Sequence, residues 1–133
     1  EAPSRHPAAP AQKRRMILVD TSVWVDHLRT GNERLRTLLL DGRVFCHPFV
    51  IGELACGMLR ARSEILTMLR DLPAAHLLHH DEVLSFLEMR RLYGRGIGWV
   101  DAHLLASSLL SGCALWTFDE PLRRAALALH VAA

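Results

Sequence analysis

Met16-Ile-Leu-Val-Asp20 is the segment that most limits what this chain can become. Four consecutive apolar residues, with no polar alternate, fit a strand buried on both faces. Strands of that kind belong to parallel sheets covered by helices. The run then closes on a carboxylate, Asp20, where the chain must leave the core.

The rest of the sequence repeats the scheme of short apolar run followed by helical pattern. Ser22–Arg29 and Asn32–Leu40 read as helices, broken at Thr30-Gly31 and stopped at Asp41-Gly42. Arg43–His47 is a second strand candidate. Pro48 opens a helix expected to reach Leu59, since its missing N–H costs nothing in a first turn. Ser63–Leu69 follows as a helix and Ala75–His79 as a short third strand. Asp81–Tyr93 is amphipathic, with Val83, Leu84, Leu87 and Leu92 on one face. Beyond Gly94, Gly96 and Gly98 come a helix over Trp99–Leu110 and a strand over Cys113–Thr117. A short helix over Pro121–Ala126 and an edge strand over Leu127–Val131 complete the pattern. The alternation predicts an α/β fold with a parallel sheet covered on both faces.

Half of the 133 residues are apolar, enough for one packed core. Residues 16–133 are expected to form that domain. Residues 1–15 are Pro- and Ala-rich without apolar period, and read as a flexible tail or leader outside it. No apolar run approaches the roughly 20 residues of a membrane helix, and the first residues do not read as a secretory signal. A cytoplasmic protein is expected. Cys46, Cys56 and Cys113 lack CxxC spacing and sit among apolar neighbours, so all three read as free, buried packing residues. The net charge of +2 is misleading. Arg5, Lys13, Arg14 and Arg15 against Glu1 give the first 15 residues +3, which leaves −1 on the other 118. Any nucleic acid would have to be held by local arginine clusters.

Asp81, Glu82, Glu88, Glu33 and Asp71 lie on polar helix faces or ends, where a solvated charge is ordinary. Four other carboxylates sit differently. Asp20 follows the buried strand; it reads as a helix N-cap or as a ligand, and Thr21 or Ser22 would cap equally well. Glu53 is the only charge in Phe49–Met58, so it needs a proton, a cation or a wet stripe of its helix. Asp101 falls in a first helical turn, where the macrodipole also favours an anion. Asp119 precedes Pro121 and serves equally as an N-cap.

In an open parallel sheet, ligands bind beyond the carboxyl ends of the strands. Asp20 and Asp119 each come just after a strand, and Glu53 and Asp101 lie early in helices. If the first and last clear strands are neighbours, all four converge. Clustered anions shift their pKa values or bind cations, and oxygen-only ligands suit Mg²⁺ or Mn²⁺. Such ions orient a water and stabilise the oxyanion leaving a phosphodiester.

The motifs VDTS (19–22), GELACG (52–57), WVDAHLLASS (99–108) and LWTFDEPL (115–122) resemble, in order and spacing, those of PIN-domain toxin ribonucleases of the VapC family. The resemblance spans nearly everything from Met16 onward. It implies an α/β/α sandwich around a mostly parallel sheet of four or five strands, and Mg²⁺- or Mn²⁺-dependent cleavage of RNA with water as nucleophile. It makes Asp20, Glu53, Asp101 and Asp119 the catalytic, metal-binding quartet, and makes Ser22 and Thr117 hydroxyls that hydrogen-bond those carboxylates. It further implies a homodimer silenced by a VapB-type antitoxin, in a type II toxin–antitoxin pair.

Arg90, Arg91 and Arg95 are candidates for RNA phosphates, or simply a solvated helix end. Trp99 reads as core sooner than as a base-stacking residue, and Trp24 and Trp116 as packing. The eight histidines show no metal spacing, so histidine catalysis is disfavoured. The apolar surfaces of 49–59 and 83–92 are candidate interfaces. Two rival functions remain: a non-catalytic binding module whose carboxylates merely cap helices, and an Asp-dependent phosphatase or receiver-like domain. The dehalogenase-type phosphatases want Asp-x-Asp after strand one, and Ser22 stands at that second position.

Overall fold

The computed structural model describes residues 15–133; the expected tail therefore lies outside the described residues, Arg15 excepted. Three parallel strands form the sheet: β1 (Ile17–Val19), β2 (Val44–Phe45) and β3 (Ala114–Trp116), in the order β2-β1-β3. Seven helices connect and cover them among the described residues: α1 (Thr21–Thr30), α2 (Glu33–Leu40), α3 (Pro48–Ala55), α4 (Arg62–Asp71), α5 (His80–Met89), α6 (Trp99–Ser111) and α7 (Glu120–Ala128). They pack in two groups, α1 with α3 and α4, and α5 with α6 and α7. The α/β sandwich is as expected.

β1 is central because it is apolar throughout; Ile17, Leu18 and Val19 are all buried. β1 also adjoins β3, Val19 pairing with Trp116. The chain leaves β1 to build β2 on one side and returns to build β3 on the other, so the strand order reverses between β1 and β3. This is where an open sheet leaves a crevice. α6 is the buried helix of the fold, its residues Ala102–Ser108 all inside and its body packed on β3, α5 and α7. It stops at Gly112, whose φ of 65° is a left-handed conformation that costs glycine little.

The sheet is narrower than the expected four or five strands. The proposed strand Ala75–His79 is reduced to one bridge, Cys46 to Ala74; by His76 the backbone N–H has turned away to the Ser111 hydroxyl at 2.8 Å. The proposed edge strand Leu127–Val131 is also wrong. α7 continues to Ala128, His130 adopts φ 60°, and the pairing shifts to a single bridge between Leu115 and Ala132. α3 ends at Ala55 instead of Leu59, because the Arg62 guanidinium takes the carbonyls of Ala55 and Gly57. α5 ends at Met89 instead of Tyr93, with Arg91 left-handed at φ 53° and Leu92 turned into the core.

Cys46 and Cys113 are buried free thiols, but Cys56 is exposed at the end of α3, where no helix carries it inward. Trp24 and Trp116 are buried. Trp99 is not core. It is 36% exposed and stacks edgewise on His103, which meets Phe49, while His80 lies on its other side. Phe49, Met58, Leu84 and Met89 are exposed on the two stretches proposed as interfaces. No helix among the described residues is long and apolar enough to cross a membrane.

His47 caps α3: its Nδ1 accepts the Phe49 N–H at 3.0 Å, while Nε2 is buried with no partner among the described residues. Burial, then the neighbouring His103, pushes its pKa down from 6.5 to about 4. The unfolded chain takes up a proton below pH 6.5 that the folded one refuses until about pH 4, so this site loses stability as pH falls through that window. The loss is about 2 kcal/mol after allowance for screening. His47→Asn keeps the cap acceptor and removes the titration. In chemical denaturation, the stability gap between wild type and His47→Asn is expected to narrow by about that amount from pH 7 to pH 4; a constant gap would show that His47 is not held neutral.

Candidate metal-dependent active site

The carboxyl ends of β1 and β3 are tied together around one oxygen. Asp20, 7% exposed, donates its backbone N–H to the Trp116 carbonyl at 2.9 Å. Its Oδ2 accepts hydrogen bonds from the Ser22 hydroxyl (2.7 Å), the Thr117 hydroxyl (2.7 Å) and, more weakly, the Ser22 N–H (3.4 Å). Both hydroxyls also accept: Ser22 Oγ from the Phe118 N–H at 3.0 Å, and Thr117 Oγ1 from the Asp119 N–H at 3.0 Å. The hydroxyls pass the polarity of a tight turn onto the carboxylate. Asp20 is thus both N-cap of α1 and centre of this network.

The other three carboxylates are fixed the same way, by one oxygen each. Asp101 Oδ2 accepts the Gly98 N–H at 2.9 Å across the first turn of α6. Asp119 Oδ2 accepts the Leu122 N–H at 3.1 Å and caps α7, where Pro121 occupies the first turn. Glu53 Oε1 accepts the Thr21 hydroxyl at 2.6 Å. Every helix-cap reading is therefore correct, and none uses more than half of its carboxylate. Among the described residues nothing donates to the second oxygen of any of the four, and no arginine, lysine or histidine forms an ion pair with them.

They also act on one another. The pKa of Asp101 is raised, first by burial and then by the charges of Asp20, Asp119 and Glu53, against the lowering effect of the Gly98 hydrogen bond. Asp20, Asp101, Asp119 and Glu53 thus share one field. They do not form a closed cage: among the described residues, no three His, Cys, Asp or Glu side chains are gathered to hold one ion. The rotamers hold the four in electrostatic rather than ligating range. The donor chemistry nevertheless fits a hard divalent cation, being all oxygen, all anionic and without a protein counter-charge.

Sequence reasoning missed Thr21. Of the readings open for Glu53, the wet stripe is the one observed: it is not buried but occupies the exposed face of α3. Thr21 was considered only as a cap, but its hydroxyl holds Glu53, and its place directly after Asp20 was the available signal. Arg90, Arg91 and Arg95 are exposed in the connection before α6. That connection abuts the site: a Cβ on Gly96, whose φ is 80°, would lie 3.4 Å from Pro121 Cβ, two residues beyond Asp119. A trough of about 550 Å³ with a mixed polar and apolar lining opens from Thr21 and Glu53 and runs past Leu28, Arg29, Leu54, Met58 and Arg60.

Residues 17–127 match the family described as the PIN domain. Over 111 residues the chain is 50% identical to ribonuclease VapC32 of Mycobacterium tuberculosis, in both strain CDC 1551 / Oshkosh and strain H37Rv, covering 83% of this chain and 90% of the relative. The chain belongs to the VapC family of PIN domains. The crystal structure of PAE2754 from Pyrobaculum aerophilum shares the fold, with a TM-score of 0.57 at 20% identity over 84% of this chain and 79% of that one. In this PIN domain the acidic quartet expected from the motifs lies at the switch point of the sheet.

If Asp101 feels the other three charges, removing one must lower its pKa. Asp119→Asn keeps the cap acceptor and deletes a charge. A carbon-13 titration of the Asp101 carboxyl, without divalent ions, is expected to show a downward shift in this variant; an unmoved titration would place Asp119 outside the shared field.

Proposed function

We propose that this PIN domain is the toxin of a type II toxin–antitoxin pair, an endoribonuclease that hydrolyses RNA phosphodiesters at the Asp20–Glu53–Asp101–Asp119 edge with Mg²⁺ or Mn²⁺. The observation that carries the reading is the fourfold arrangement itself: carboxylates each anchored by one oxygen, uncompensated, and raising the pKa of Asp101 together. The relatives named as ribonucleases add support.

When bound, the cation supplies acidity to a water and charge stabilisation at the phosphate. Asp20 and Asp101, the most enclosed of the four, would hold it, and Glu53 and Asp119 would complete the site or hold a second ion. Ser22 and Thr117 orient Asp20 by donating to its Oδ2. Thr21 restrains Glu53, which otherwise has a long flexible stem in solvent. As the water oxygen bonds to phosphorus its proton passes to a carboxylate, one ester P–O bond breaks in line, and the leaving oxygen takes up a proton from solvent to depart as a hydroxyl. Arg90, Arg91 and Arg95 contribute phosphate contacts at the rim.

The trough beside Glu53 fits an apolar segment of a VapB-type antitoxin, whose basic side chain would be drawn to the acidic edge. The exposed residues of α3 and α5 suit a homodimer contact. Soluble, cytoplasmic action matches an RNA substrate.

A folded Asp101→Asn variant separates this reading from a binding module. Asp101 is costly as an anion, so without divalent ions the variant is expected to melt higher than wild type at pH 7, the difference shrinking as pH falls and the wild-type carboxyl takes up its proton. Mn²⁺ is expected to raise the wild-type melting temperature and leave the variant nearly unmoved, and RNA cleavage in the variant should fall at least a hundredfold. Equal cleavage by both proteins would defeat the proposal.

A further inference from the structure

Beyond the acidic edge, on the β3 side, lies a cavity of about 280 Å³ that none of the carboxylates accounts for. Arg34, Trp116, Thr117, Phe118, Glu120 and Arg123 line it. Its floor is Trp116, 7% exposed, and the Arg34 guanidinium lies over that indole at 4.4 Å from the ring centroid. Its wall is Phe118, 53% exposed and set edge-on to Trp116 at 5.9 Å and 86°. Arg123 and Arg124 both reach one carboxylate, Glu120, at 3.6 and 3.8 Å. Arg124 lies outside the lining, which also includes Ala132 and Ala133. Arg123 is already paired with Glu120, so Arg34 is the lining guanidinium with no ion pair among the described residues.

The pocket is physically joined to the site. Thr117 lines it and donates to Asp20 Oδ2; Phe118 lines it and its N–H is held by Ser22, which donates to the same oxygen. A ligand here sits one side chain away from Asp20. An exposed phenyl face needs a flat apolar partner, while the Arg34 guanidinium needs an anion. One chemical unit supplies both, with base and phosphate joined by a sugar. An apolar protein segment would satisfy the phenyl but leave the Arg34 guanidinium without an anion, and a bare anion would leave the phenyl wet.

We propose that this pocket is a nucleotide subsite: Phe118 stacks on an unpaired base adjoining the scissile phosphodiester, and Arg34 with Arg123 holds the neighbouring phosphate. The subsite would make the enzyme prefer single-stranded or looped RNA, whose bases can be splayed onto a side chain. It rests on the ribonuclease reading for its substrate and adds a place where that substrate is gripped.

The test uses the Asp101→Asn protein with chelator, so that nothing is cleaved, and a short single-stranded RNA carrying 2-aminopurine. Phe118→Leu is expected to weaken binding about tenfold and to abolish the stacking-dependent quenching of 2-aminopurine. Arg34→Gln is expected to lower the slope of log affinity against log salt by about 0.7, the loss of one single-strand phosphate contact. Both residues are on the surface, and circular dichroism checks that the variants fold. Unchanged affinity, quenching and slope in the variants overturn the subsite, as does failure of the parent protein to bind the RNA. Cleavage of total bacterial RNA by the wild type with Mn²⁺ is scored separately. Cleavage with unaffected variants leaves the ribonuclease reading intact without the subsite. Variant-sensitive binding without cleavage keeps the pocket as a nucleic-acid site and removes the ribonuclease reading.

Discussion

One oxygen atom, Asp20 Oδ2, organises the acidic edge of the sheet. Three donors converge on it inside the crevice between β1 and β3, and two of them are hydroxyls that take their own support from the 118–119 turn. Hydrogen bonds to an ionised acceptor are stronger than neutral ones, and here they replace the water that a nearly buried carboxylate has lost. Without them Asp20 would be an unpaired charge in the core, and the turn carrying Asp119 would have no fixed relation to α1. The parallel pairing of Val19 with Trp116 brings the two strand ends together, and this network fixes what stands on them.

The same economy recurs at the remaining carboxylates. Asp101 and Asp119 each terminate a helix with one oxygen and keep the other available. Folding thus places the charges as a by-product of starting the helices, yet the pKa of Asp101 is raised, first by burial and then by repulsion from Asp20, Asp119 and Glu53. A carboxylate cluster that is electrostatically unfavourable on its own would gain from a cation. Alanine substitutions here would remove a cap and a charge together; asparagine keeps the cap acceptor and removes only the charge at both aspartates.

Much of this was legible in the sequence where burial dictates composition. Met16–Val19 and Trp99–Leu110 had to be a buried strand and a buried helix, because their apolar runs admit no wet face wide enough for anything else. The quartet was legible as carboxylates out of keeping with their surroundings at strand ends and helix starts. The edges of the sheet were not, since a single bridge at Ala74 or Ala132 imposes no period on its neighbours. The exposure of Glu53 could not be settled from sequence because helix α3 is apolar even on parts of its exposed side, as Phe49 demonstrates. Trp99 and Cys56 misled, as apolar context in sequence is not burial in space. Thr21 escaped attention because a hydroxyl adjacent in sequence to Asp20 serves a different carboxylate, one contributed by another helix.

The narrowness of the sheet has a consequence for how the protein behaves in a crowded solution. An edge strand with a long unpaired row of amides invites a foreign strand to join it. Here each margin consists of a single bridge before the backbone turns off, to the Ser111 hydroxyl on one side and into the last residues on the other. Among the described residues neither flank offers a long straight edge, so the ladder is a poor template for a second molecule's strand.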